Sequence, residues 1–184
     1  MASLSRFERL ALPHMAAAFN LAYFIVRSKE DAEDVVQDAY LRAFRAFDDL
    51  RGDDIRPWLL TIVRHAAYAM VKARRRSNLI PLEVGGAEPD GTAWSRDIAA
   101  EQPTAEQAMV SAGERALVHA ALADLPVAYR EVVTLREIEG LGYREIAEIT
   151  GTVVGTVMSR LARGRKELRA RLQRLLDRNG TDDR

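Results

Sequence analysis

The residues best suited to chemistry lie near the C-terminus, where Thr156, Ser159, Arg160, Arg163, Arg165 and Lys166 share one face of a predicted helix. Hydroxyl and guanidinium groups on a helix of major-groove width are donors for phosphates and base edges. The opposite face carries Val154, Val157, Leu161 and Leu168 at helical spacing, so this segment must pack against something. A short helix over Tyr143 to Thr150 precedes it, with Gly142 as N-cap, Glu145 reaching back to first-turn amides, and Ile146, Ala147 and Ile149 inward. Gly151 can take the positive φ of a sharp reversal, and the unit reads as a helix-turn-helix. Arginines alone would read as a solvated face. Here they cluster on the second helix of the pair, which favours DNA contact.

Composition narrows the remaining choices. The 184 residues carry 48% apolar side chains, enough to bury a core, and no cysteine, which removes disulfides and thiolate metal sites. His14, His65 and His119 are scattered, no nucleophile is paired with a base, and there is no phosphate loop, so neither an enzyme nor a cofactor is implied. The apolar stretch Met15 to Val26 is interrupted by Asn20 and too short to span a bilayer; it reads as a core helix, without membrane insertion, in a cytoplasmic protein. Net charge is zero but segregated. Arg64, Lys72, Arg74, Arg75 and Arg76 form one basic segment and the helix-turn-helix another; Glu30, Asp31, Glu33, Asp34 and Asp38 form an acidic one. Such polarity assigns different partners to different segments.

The elements that position these groups are all helical. Leu4, Phe7 and Leu10 begin a stripe that Pro13 interrupts and Met15, Phe19, Ala22, Tyr23 and Val26 continue. Ser28 caps a helix to about Phe47 with Ala32, Val35, Val36, Ala39, Tyr40, Ala43 and Phe47 inward. Asp48 to Asp54 is a loop, and Pro57 opens a helix carrying Trp58, Leu59, Ile62, Val63, Ala66 and Val71 into the basic run. Ser77 to Pro103 holds three prolines and three glycines without a helical stripe, and reads as a flexible acidic linker. Thr104 and Gln107 then cap a helix with Met109, Ala116, Leu117, Ala120 and Leu122; Pro126 opens another through Val132, Val133, Leu135 and Ile138, ended by Gly140. The recognition helix runs on to Leu176. The predicted fold is all-α: two helical domains over 1–76 and 104–184, joined by the 77–103 linker.

The order of parts, DAEDVVQDAYLRAF at Asp31 to Phe44, RPWLLTIVRHAA at Arg56 to Ala67, and LPVAYREVVTLREIEGLGYREIAEITGTVVGTVMSRLARGRKEL at Leu125 to Leu168, resembles the extracytoplasmic-function sigma factors. These belong to the sigma-70 superfamily of bacterial transcription initiation factors. The resemblance covers nearly the whole chain. It implies a first domain that binds the clamp of core RNA polymerase and opens the −10 promoter element, and a second that reads the −35 element. By position, Asp31, Glu33, Asp34, Gln37, Asp38 and Arg42 match the family's polymerase-binding face. The loop with Asp48, Asp49, Arg51 and Asp53 matches the one that captures a flipped −10 base, whose unstacking demands a pocket with hydrogen-bonding edges. Arg64, His65, Lys72, Arg74, Arg75 and Arg76 fall where −10 DNA is held, with His65 standing where the family often has Asn. Thr156, Met158, Ser159, Arg160, Ala162, Arg163, Arg165 and Lys166 fall on the −35 helix, with Met158 where a long polar side chain is common and Ala162 likewise small.

The same resemblance implies an anti-sigma factor as a partner, and a linker that passes toward the polymerase's RNA channel. Its acidic residues would also suit a plain soluble tether. The competing reading is a self-sufficient helix-turn-helix regulator whose first domain binds a ligand or dimerises. Such a protein needs paired recognition helices, and binds its operator without polymerase.

Overall fold

The computed structural model of the chain describes residues 2–50, 54–77 and 105–179. The described residues hold helices and connecting turns: α1 (Ala2–Ala11), α2 (Met15–Val26), α3 (Lys29–Arg45), α4 (Ile55–Ser77), α5 (Ala105–Ala123), α6 (Val127–Val133), α7 (Tyr143–Thr150) and α8 (Val154–Asn179). The linker from 78 to 103, Thr104, Arg51 and Asp53 lie outside the described residues, as do the side chains of Asp49 and Met109.

In the N-terminal lobe, Pro13 breaks the first stripe where expected. A 3₁₀ turn at Leu12–His14 separates α1 from α2, so the apolar run from Leu4 to Val26 folds as two helices, and half of its most apolar window is buried. Ser28 Oγ accepts from the Asp31 amide (3.3 Å) and caps α3. The predicted stripe of α3 is inside, with Ala32, Val35, Val36, Ala39, Ala43 and Phe47 buried and Tyr40 half-buried. Tyr40 donates to the Ala11 carbonyl (2.9 Å), tying α3 to the end of α1, and burial pushes its pKa up to about 12. α4 packs across α2 and α3, burying Leu59, Leu60, Val63, Ala66 and Ala67. Full burial of each large apolar side chain contributes about 1.5–3 kcal/mol.

In the C-terminal lobe, Pro126 stands at the N-cap of α6, and Gly140 (φ 68°) ends the segment by letting the Leu141 amide donate to Leu135 (3.0 Å). Between them the chain widens into a π-helical turn at Thr134–Ile138. The wider turn rotates Ile138 off the stripe that Leu135 continues, which corrects the expected burial: Leu135 is fully buried, Ile138 is 41% exposed. Other expectations of burial also fail. Val154, the first residue of α8, is exposed, and burial starts a turn later at Val157; Ala116 is exposed, whereas Ala121 and Leu122 further along α5 are buried. Leu4 and Met15 are exposed beside a surface groove described below.

The lobes are docked. One continuous buried cluster runs from Leu21, Val35 and Val63 to Leu122, Val132, Leu135 and Ile146. α4 packs on α7, and α2 packs on α6.

A close helix crossing in the C-terminal lobe lies at Gly164. A Cβ there would sit 2.8 Å from Val133 Cγ2 and 3.3 Å from Tyr129 Cβ, with Val133 itself buried. Gly164→Ala is expected to destabilise the fold by about 1–3 kcal/mol in urea unfolding, since overpacking forces a buried side chain off its rotamer. Gly155→Ala, which meets open space on the same helix, should not destabilise it.

Candidate nucleic-acid and polymerase interfaces

The helix-turn-helix forms as its residues dictate. The Gly142 amide donates to Glu145 Oε2 (2.6 Å), and because glycine has no side chain this is the one half of a capping box available. Gly151 (φ 63°) makes the reversal, and the Thr152 amide donates back to Ala147 (3.0 Å). Thr150 is buried, donating to Ile146 O (2.6 Å) and sharing a 2.9 Å hydroxyl contact with Thr152. Val157 and Leu161 lock α8 against the lobe. The expected −35 residues divide by environment. Met158, Ser159, Ala162, Arg163 and Lys166 are exposed on α8, and Thr156 is partly so. Arg165 is exposed but paired with Glu137 (2.6 and 2.9 Å), which raises its pKa. Arg160 is half-buried.

On α3, Glu33, Asp34, Gln37, Asp38 and Arg42 are all exposed, with Arg42 and Asp38 paired at 2.7 Å. Asp31 differs from its neighbours. It is buried and ion-paired with Arg74, so it fastens the start of α3 to the end of α4 and occupies one of the expected −10 cations. Beside the exposed face lies an apolar groove of about 880 Å³ between α1, α2 and α3, lined by Phe7, Phe19, Val36 and Tyr40 and rimmed by Glu33 and Gln37. Leu4, Leu12, Met15, Leu41 and Phe44 are large, apolar and exposed around it.

On α4, His65, Lys72, Arg75 and Arg76 are exposed, as is Asp48 in the preceding turn, and Trp58 packs on the small cluster around Phe7 and Phe47. Arg64 is spoken for. Its Nε donates to Glu131 Oε1 (2.5 Å), its guanidinium lies 4.7 Å from the Tyr68 ring centre, and Tyr68 donates to the other Glu131 oxygen (3.3 Å). Glu131 comes from α6 of the other lobe and is 1% exposed. Burial pushes its pKa up and outweighs the opposing pull of Arg64, with Arg160 also favouring the charged form. A second polar seam lies alongside: Asn20 donates to Glu139 Oε1 (2.8 Å), and Arg56 donates to the Glu139 carbonyl (2.7 Å). Sequence patterns did not mark Asn20, Arg56, Glu131 or Glu139 as a set. Their signal was polar residues inside apolar helical runs, which says that a partner exists without saying which.

Comparison with known proteins follows the same division. Residues 10–77 match the model of Sigma-70 region 2, and residues 115–168 match that of Sigma-70, region 4. The RNA polymerase sigma-H factor of Pseudomonas aeruginosa is 34% identical over 172 residues, covering 92% of this chain and 88% of that protein. The chain belongs to the extracytoplasmic-function RNA polymerase sigma factors. Another relative, the ECF RNA polymerase sigma factor SigE of Mycolicibacterium smegmatis, is 33% identical over 168 residues; the match spans 91% of this chain but 62% of that protein. Among solved structures, the sigma factor RpoE of Bartonella quintana, in complex with the anti-sigma factor NepR, superposes with a TM-score of 0.68 at 26% identity, over 91% of this chain and 96% of that one. As an ECF sigma factor, the protein is a transcription initiation factor that works with RNA polymerase and promoter DNA.

The buried carboxylate of this sigma factor has a defined pH signature. Its folded pKa is raised, so the stability linked to Glu131 is fully present below the unfolded pKa and is lost as pH rises through the folded one. Arg64 opposes that loss by stabilising the charged form. Arg64→Ala should therefore push the Glu131 pKa higher still, as read from its side-chain carboxyl carbon by NMR titration. It should also destabilise the fold more at about pH 7 than at about pH 5.

Proposed function

We propose that this sigma factor recruits core RNA polymerase through the outer face of α3 and the groove beside it, holds −10 DNA with the exposed cations of α4, and reads −35 DNA with the first turns of α8. The observation that carries the polymerase assignment is the exposed acidic face of Glu33, Asp34, Gln37 and Asp38 bordering a groove ringed by Leu4, Leu12, Leu41 and Phe44. A charged face gives orientation, and an exposed apolar groove gives the buried area that binding needs. Leu41 and Phe44 join the polymerase-binding set on this reading, while Asp31 acts from beneath it through Arg74. Charge reversal at Asp34 and Asp38, or Leu41→Glu, is expected to abolish co-purification with core polymerase while leaving helical circular dichroism unchanged. Retained binding by both variants would reject the assignment.

On α8, Ser159 and Arg163 project together, and Arg163 makes no ion pair among the described residues, which leaves it for base edges; Lys166 and Arg165 suit phosphates. The protein acts in the cytoplasm, where polymerase and promoters are. An anti-sigma factor is the expected antagonist, supported by the relative solved with NepR. Arg163→Ala should cost about 1–3 kcal/mol on a matched −35 duplex and relax discrimination there. Equal loss on matched and scrambled duplexes would make Arg163 a phosphate anchor instead.

A further inference from the structure

The exposed side of α8 is divided lengthwise into two rows. Gly155, Ser159 and Arg163 stand at i, i+4 and i+8 and make the row that carries hydrogen-bonding side chains; Val154, Met158 and Ala162 stand at the same spacing beside it and carry none. All six residues are exposed. Met158 leaves 53% of its surface in solvent, and Val153, just before the helix, leaves 71%.

Folding does not account for the second row. Among the described residues, neither Val154 nor Met158 belongs to a buried cluster, whereas Val157 and Leu161 on the inner face of the same turns do. Single apolar side chains on a surface are ordinary. These succeed one another along a helix edge, beside the side chains proposed to face base edges. The major groove of B-DNA displays one apolar group, the C5 methyl of thymine, and an alkyl or thioether side chain meets it without any hydrogen bond. The shape of the row suits that contact. Ala162 is short, and nothing in the protein comes within 4 Å of where a Cβ of Gly155 would stand, so the first turns of α8 are open to close approach. Met158 lies between them, long, unbranched and polarizable, and can adjust to a methyl at slightly varied depth.

We propose that Met158 is a specificity-determining residue of the −35 contact, selecting thymine at one position by packing its thioether on the C5 methyl, with Val154 and Ala162 extending the apolar strip to either side. This rests on the reading of α8 as the −35 helix and adds the base that its apolar edge selects. Discrimination then has two unlike sources: a row that needs matching hydrogen-bond partners, and a row that needs a methyl group.

The test uses holoenzyme assembled from the full-length chain and core polymerase. Duplexes with a randomised −35 segment are selected for binding, and each thymine of the recovered sequence is then replaced in turn by deoxyuridine, which removes the methyl and keeps the base pair. At one thymine, wild type should lose about fourfold in affinity, the equivalent of one buried methyl group. Met158→Ala should bind the thymine and deoxyuridine forms of that position equally. Met158→Lys keeps the reach of the side chain and ends it in a donor, so selection repeated with this variant should abandon thymine there in favour of a G·C pair, whose guanine N7 and O6 accept from lysine. Four results would each overturn the proposal while leaving α8 as the −35 reader: a recovered sequence without thymine, thymines that all tolerate deoxyuridine, a methyl effect that persists in Met158→Ala, or unchanged selection by Met158→Lys. Recovery of no preferred sequence by wild type, with core polymerase capture intact, would instead reject the −35 reading itself and the proposal with it.

Discussion

The constraint on which the arrangement depends is a single buried carboxylate. Glu131 is 1% exposed, and an ionised group in such a place is costly unless its partners supply charge and hydrogen bonds together. Arg64 supplies the charge and a donor, Tyr68 supplies a second donor, and both come from the other lobe. The raised pKa shows that desolvation still outweighs the pairing. A contact of this kind adds little to net adhesion but strongly specifies geometry, because a lobe docked in any other register leaves a buried charge without a partner. The apolar cluster around it provides adhesion without that selectivity.

The two lobes present their exposed basic residues differently. α8 is fixed by a short helix, a glycine reversal and the close crossing at Gly164, so its exposed face is presented by a rigid frame. α4 is a long helix whose inner residues belong to its own lobe, whose middle faces the other lobe through Arg64 and Tyr68, and whose basic end projects outward. The cations of α4 thus fall into three states: open to solvent at Lys72, Arg75 and Arg76, tied within the lobe at Arg74, and tied across lobes at Arg56 and Arg64. A charge count over the segment treats these as equivalent, and they are not.

α3 shows how one helix serves core and surface. Its inner stripe of Ala32, Val35, Val36 and Ala39 packs on α2 and α4, while Glu33, Asp34, Gln37 and Asp38 look outward. The apolar residues left outside, Leu41 and Phe44, lie at the border between the two faces, on the rim of the groove. Aromatic contacts from Phe7 to Phe44 (5.4 Å) and Phe47 (5.2 Å) hold that rim in place.

Sequence alone determined what local physics controls. Ser28 before an acidic turn, Pro13 and Pro126 at breaks, Gly140 and Gly151 at positive φ, and the stripe from Ala32 to Phe47 each depend on residues within a turn or two, and each formed as read. The ordered motifs likewise led to the sigma-factor family. Tertiary structure decided which polar residues meet across the chain. Glu131 and Arg64 are 67 positions apart, Asn20 and Glu139 are 119 apart, and no periodicity links residues at such separations. It also decided that Asp31 is a tether where its exposed neighbours are not, because helical spacing defines a face but not what covers it. The π turn at Thr134 falls in the same class: one extra residue in a turn leaves no mark in composition, yet it turns Ile138 outward and places Glu139 against Asn20 and Arg56.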